Sequence, residues 1–120
     1  MLKSKIHRAT LTGAQLDYEG SIAIDADLMK AADMLAGEQV HVLNMANGAR
    51  LITYVIQALA GSGTMMLNGP AARSGVPGDE VIVLSYCEME EEDARRHKPR
   101  VVSVTKENRP CAKPEKSDFK

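Results

Sequence analysis

The chain has 120 residues, with 15 Lys and Arg against 16 Asp and Glu, a formal net charge of −1, and 44% hydrophobic residues. That length is one domain with a single core, too small for a deep pocket of its own, so an oligomer with sites between subunits is expected. The balanced charge excludes the basic footprint of a nucleic-acid binder and the polybasic run of a membrane-surface protein.

The N-terminal MLKSKIHRAT lacks the apolar core of a signal peptide, and no apolar stretch is long enough to span a bilayer, so a cytoplasmic protein is expected. Downstream, short apolar and β-branched runs predict strands at 22–24, 40–43, 51–56, 65–67, 81–86 and 101–104. Turn residues punctuate them at Asn47-Gly48, Gly61-Ser62-Gly63, Asn68-Gly69-Pro70 and Pro77-Gly78-Asp79. One helix follows the first of these runs. Asp25 can cap it, Asp27 suits its first turn, Leu28, Ala31, Ala32 and Leu35 share a face, and Gly37 supplies the stop. A second, short helix is predicted over 90–96, where acids precede bases, although a solvated charged turn explains the same charges. From Lys106 onward the chain is polar and carries two prolines, so about 106–120 reads as a loose tail. Many short strands and few helices give an all-β (mainly β) class, a barrel or sandwich. With one Phe, three Tyr and no Trp, its core must be aliphatic.

Common catalytic motifs are absent: there is no GxxxxGK[ST], GxGxxG, HExxH or GxSxG. Gly61-Ser62-Gly63 sits between two strand-like runs and reads as a hairpin turn. Cys87 and Cys111 stand far apart, which disfavours a disulfide framework or zinc site; Cys87 closes an apolar run and reads as a buried thiol. His7, His41 and His97 have no partners at metal spacing, and His41 reads as a strand residue.

The segment Asp17-Tyr18-Glu19-Gly20-Ser21-Ile22-Ala23-Ile24-Asp25 is more informative in company than alone. A Gly-Ser pair is an ordinary turn dipeptide. Here it follows Lys5-Ile6-His7-Arg8-Ala9 and precedes Asn47-Gly48-Ala49-Arg50, Thr53-Tyr54 and Asn68-Gly69-Pro70-Ala71-Ala72. In order and spacing these segments resemble the aspartate 1-decarboxylase family, over residues 1–99. The resemblance implies a six-stranded double-psi β-barrel with short helices, a homotetramer with sites at subunit interfaces, and conversion of L-aspartate to β-alanine and CO2 for pantothenate and coenzyme A synthesis. It also implies a precursor, a single domain over 1–120, that cleaves itself between Gly20 and Ser21 into pieces 1–20 and 21–120, in some members with the help of a maturation factor. Ser21 then becomes a pyruvoyl group, which forms a Schiff base with the substrate amine. The chemistry is coherent, because losing CO2 from an amino acid leaves electrons on the α-carbon and no side chain can accept them.

By the same resemblance, Tyr54 is the proton donor to the α-carbon and Thr53 lies by the Gly20 carbonyl, where it also meets the substrate. Arg50 and Lys5 hold carboxylates, the backbone of Asn68, Gly69, Ala71 and Ala72 holds the pyruvoyl group or substrate, and His7 and Tyr18 line the site. Each has an ordinary alternative. Lys5 and His7 fit the solvent face of an edge strand, Arg50 a surface charge, Tyr54 the core, and Asn68-Gly69 a hairpin turn. Pro70 and Arg73 depart from the family's usual alanine and histidine. Proline lacks an N–H, so hydrogen bonds there fall to Gly69 or Ala71. Three other readings stay open: an uncleaved, silent barrel that binds a ligand or serves structure, a swapped-hairpin DNA regulator, and a pyruvoyl decarboxylase of another amino acid.

Overall fold

The computed structural model describes residues 1–111. Its strands are β1 (Leu2–Thr10), β2 (Gly13–Gln15), β3 (Ser21–Asp25), β4 (Gln39–Asn44), β5 (Arg50–Ala58), β6 (Met65–Asn68), β7 (Glu80–Tyr86) and β8 (Arg100–Ser103). They form one sheet in the order β2-β6-β3-β5-β4-β7-β1-β8. The mainly-β expectation and all six predicted strands are borne out. Among the described residues there are eight strands, two of which, β1 and β2, lie outside the predicted runs.

The sheet is curled rather than flat, and connectivity shows why. Strands β1 and β2 are six places apart in the order, which across a flat sheet is about 29 Å. Only Leu11 and Thr12 join them, a reach of about 11 Å. The two ends must therefore meet. Consistent with this, Leu11 N–H donates to Asp79 O at 2.8 Å, beside β7, and Thr12 N–H donates to Met65 O at 2.9 Å on β6. The enclosed space holds Ile6, Leu11, Ile22, Ile24, Leu28, Val40, Val42, Val55, Met65, Leu67, Val81 and Val83, which are all fully buried. The core is aliphatic, as the composition required.

Strand β1 is hidden in the sequence because of a bulge. Its pairing with antiparallel β7 slips between Ile6↔Val83 and Ala9↔Val81, and Arg8 takes a left-handed φ of 65°. One extra residue breaks the two-residue alternation that would betray a strand. Because β1 lies between β7 and β8, the edge-strand alternative for Lys5 and His7 is corrected.

Helix α1 (Ala26–Ala31) is capped by Asp25 as expected, the carboxylate accepting from Asp27 N–H at 2.8 Å. Its end differs. Asp33 turns left-handed at φ 55°, Met34 rather than Leu35 packs inward, and Leu35 is 71% exposed. Gly37, at φ 87°, belongs to the following turn and donates to Val55 O. Helix α2 (Glu91–Arg96) forms over the acid-then-base run, with ion pairs Arg95–Glu91 and Arg96–Asp93.

Two turn readings are corrected. Gly61-Ser62-Gly63 is not a hairpin, because β3 lies between β5 and β6. Asn68-Gly69 does not make a hairpin either; Gly69–Ser74 is a 3-10 helix. The reading of a loose tail is also corrected as far as residue 111. Asn108, fully buried, accepts from Thr10 N–H and donates to Thr10 O and Gly63 O, each at 2.8 Å. Residues 112–120 of that tail lie outside the described residues.

Candidate active site

Ser21 opens β3 and faces Asn68, its antiparallel partner on β6. It is fully buried. Its hydroxyl donates to Glu19 O at 3.1 Å and accepts from Asn68 Nδ2 at 3.1 Å. The Oγ is thus held by two partners right at the Gly20-Ser21 junction. Asn68 Oδ1, also buried, has no hydrogen-bond partner among the described residues. A buried amide oxygen without a partner is uncommon enough to mark a site.

Gly69 presses on the same junction. A Cβ there would lie 2.6 Å from Tyr18 O and 2.8 Å from both Gly20 N and Cα, and its φ is +65°. Only glycine permits that approach. Gly20 itself is under no such constraint. Its φ is not among the left-handed ones, and an added Cβ would touch only Pro70 Cδ at 3.5 Å. Neither dihedral nor crowding demands glycine there, which leaves open access to its carbonyl as the physical reason.

Strand β5 runs parallel to β3 with Ile22 opposite Val55, and two residues further back this register sets Gly20 alongside Thr53. The result is an open cleft of about 410 Å³. Gly20, Thr53, Tyr54 and Ala71 line it with Pro70, and so do Leu51, Ile52 and Ser74, which sequence reasoning did not single out. Asn68 and Gly69 stand behind the junction, and Ala72 lies in the 3-10 helix without lining the cleft. Tyr54 is 37% exposed, so it is not the core residue of the alternative reading. Tyr18 is 55% exposed on the chain entering the junction.

Lys5 and Arg50 are not among the residues that line this cleft. Lys5 sits on β1 opposite Leu84, and Arg50 begins β5 with its Nη1 3.1 Å from His41 Nδ1. His7 lines a second cleft, of about 270 Å³, with Arg8, Thr10, Ser103 and Cys111. Cys87 is half-buried rather than buried. Behind the junction, at the far end of β3, Asp25 is fully enclosed. Burial pushes its carboxyl up, but the N–H groups of Gly63, Asp27 and Gly61 and the Arg109 charge outweigh this and hold it below the usual carboxylate value. The glycines of the Gly61–Gly63 loop thus aim two N–H groups at one carboxylate, at 3.0 and 2.8 Å.

A group derived from Ser21 would fit this setting. The Asn68 Nδ2 that now donates to a hydroxyl can equally donate to a ketone, and the glycine at 69 leaves the junction uncrowded.

The fold and this junction define a mainly-β protein with one buried serine at a strand start, its hydroxyl pinned beside an open cleft bearing a threonine and a tyrosine. A model of the aspartate decarboxylase family matches residues 1–111. Three relatives are similar over almost the whole chain. Aspartate 1-decarboxylase 1 of Gloeobacter violaceus is 61% identical, covering 91% of this chain and 92% of the relative. Aspartate 1-decarboxylase of Dehalococcoides mccartyi is 60% identical, over 91% and 88%, and that of Chloroherpeton thalassium 56%, over 92% and 81%. The chain belongs to the aspartate decarboxylase family.

Proposed function

We propose that this chain is an aspartate 1-decarboxylase, a carboxy-lyase that converts L-aspartate to β-alanine and CO2 for pantothenate and coenzyme A synthesis, and that it makes its cofactor from Ser21. Family membership supports the activity. The observation that carries the site is the pinned, fully buried Ser21 hydroxyl at the Gly20 junction.

In maturation, the Ser21 Oγ attacks the Gly20 carbonyl carbon and the peptide nitrogen leaves it, turning amide into ester. Loss of the Ser21 α-proton then expels Gly20 as a carboxylate and leaves dehydroalanine. Addition of water and release of ammonia give the pyruvoyl end of residues 21–120. Thr53, alongside Gly20, donates to the oxyanion that develops at the Gly20 carbonyl. Once formed, the pyruvoyl group supplies the electron sink for CO2 loss.

The chain's own residues do the rest. Arg50 and Lys5 bind the two carboxylates of aspartate, the first through its planar fork. The Tyr54 phenol, at the cleft, hands a proton to the α-carbon. Thr53 and the backbone of Asn68, Gly69, Ala71 and Ala72 fix the reacting end, and His7 with Tyr18 completes the lining. Because Lys5 and His7 do not line the Gly20 cleft within one chain, a homotetramer with interfacial sites is part of this proposal. A cytoplasmic location is part of this proposal, as suits a biosynthetic enzyme of this family. No helix among the described residues is long and apolar enough to cross a membrane. Whether a maturation factor assists is decided by the same experiment as the cleavage.

Denatured intact mass tests the reading. Two fragments split after Gly20 are expected, the larger lighter by one ammonia than a plain serine start, with Ser21→Ala uncut and inactive. Protein that never splits, alone or with cell lysate, would sink the cofactor and leave an uncleaved barrel.

A further inference from the structure

The outward face of β4, β5, β7 and β1 carries a row that is continuous through the pairing register: Ile52 opposite His41, His41 opposite Leu84, and Leu84 opposite Lys5. His41 therefore stands on the same face as both proposed carboxylate-binding cations, two strands from Lys5, about 10 Å. The Arg50 guanidinium reaches it with Nη1 3.1 Å from the Nδ1 of the ring. On its other side the ring meets Tyr86 edge-on, with centroids 5.0 Å apart. Guanidinium is only ever a donor. Nδ1 must accept, so the imidazole in this contact is neutral with its proton on Nε2.

We propose that His41 is a positioning residue for aspartate binding, its neutral Nδ1 orienting the Arg50 fork towards a substrate carboxylate. The proposal rests on Arg50 being a carboxylate ligand. Arg50 is exposed and long, and without a fixed acceptor it loses rotamer freedom only when substrate arrives.

Succinate, which has aspartate's two carboxylates and no amine, is the probe, with binding read by calorimetry and kept separate from turnover. Cleavage is checked by intact mass and folding by Tm in every variant. Expected is about tenfold weaker binding for His41→Phe at pH 8, since a hydrogen bond to a charged group is removed. His41→Asn, whose Oδ1 replaces Nδ1 as the acceptor, should bind as the parent does. The His41→Phe penalty should vanish in an Arg50→Ala background. If Arg50→Ala weakens binding and His41→Phe does not, the positioning role is overturned and the Arg50 assignment stands. If Arg50→Ala binds succinate unchanged, both fall. Succinate binding as weak in His41→Asn as in His41→Phe also overturns the proposal.

Discussion

At the scale of single residues, the junction is set by groups that leave no freedom. Asn68 fixes the Ser21 hydroxyl through Nδ2 while its Oδ1 stays without a partner. Asn68→Leu, which keeps the bulk and removes the donor, should slow self-cleavage about tenfold or more in a time course of intact mass. Gly69→Ala adds a Cβ against Tyr18 O and Gly20 in a left-handed backbone. In the uncleavable Ser21→Ala background it should cost at least about 2 kcal/mol in urea unfolding. Asp25 gives a pH signature. Its folded pKa is lowered, so its contribution is present above the unfolded value near 3.8 and is lost as pH falls through the lower folded value. Asp25→Asn should cost about 2 kcal/mol at pH 7, with the gap to the parent closing below about pH 4 in acid titrations. Of these residues, Asp25 was legible as a helix cap. Its grip on the Gly61–Gly63 loop was not, since 36 residues separate it from Gly61.

Elements add constraints that no local pattern announces. The segment after β8 returns as a latch, with Val104 bridging Pro110 and Asn108, at φ 61°, tying the end of β1 to the loop before β6. Composition made this stretch look loose, because its ordering comes from hydrogen bonds, three of them made by the Asn108 side chain, rather than from apolar burial. Asn108→Ala should destabilise by about 2 kcal/mol or more and expose the Thr10 amide to hydrogen exchange. Strand β1 was missed for the converse reason. Its bulge at Arg8 lets Ile6 and Ala9 both face the core three positions apart, where a regular strand spaces inward residues by two. The strands that were legible, β3 to β8, keep their apolar runs intact.

For the whole molecule, curling brings the start and the interior of the chain together, so that β1–β2 close the sheet and β3, β5 and β6 converge on Gly20-Ser21. The same curvature turns Ile52, Tyr54 and Tyr86 outward, 58%, 37% and 46% exposed on one face. An apolar face of that kind suits the proposed homotetramer. Ile52→Glu should leave the circular dichroism of the barrel intact and shift sedimentation to smaller species, with decarboxylation falling alongside assembly.

Read by itself, the sequence determined the mainly-β class, an aliphatic core, six of the strands, both helices and, through several separated motifs in order, the family and its junction. These are properties of local periodicity and of residue types in fixed sequence. Tertiary structure alone decided that Asn68 grips Ser21, that Asn108 ties the end of β1 to the loop before β6 and that His41 meets Arg50. Each of those depends on which strands pair and in which register, and a register is fixed by the closure of the whole sheet rather than by any stretch of it.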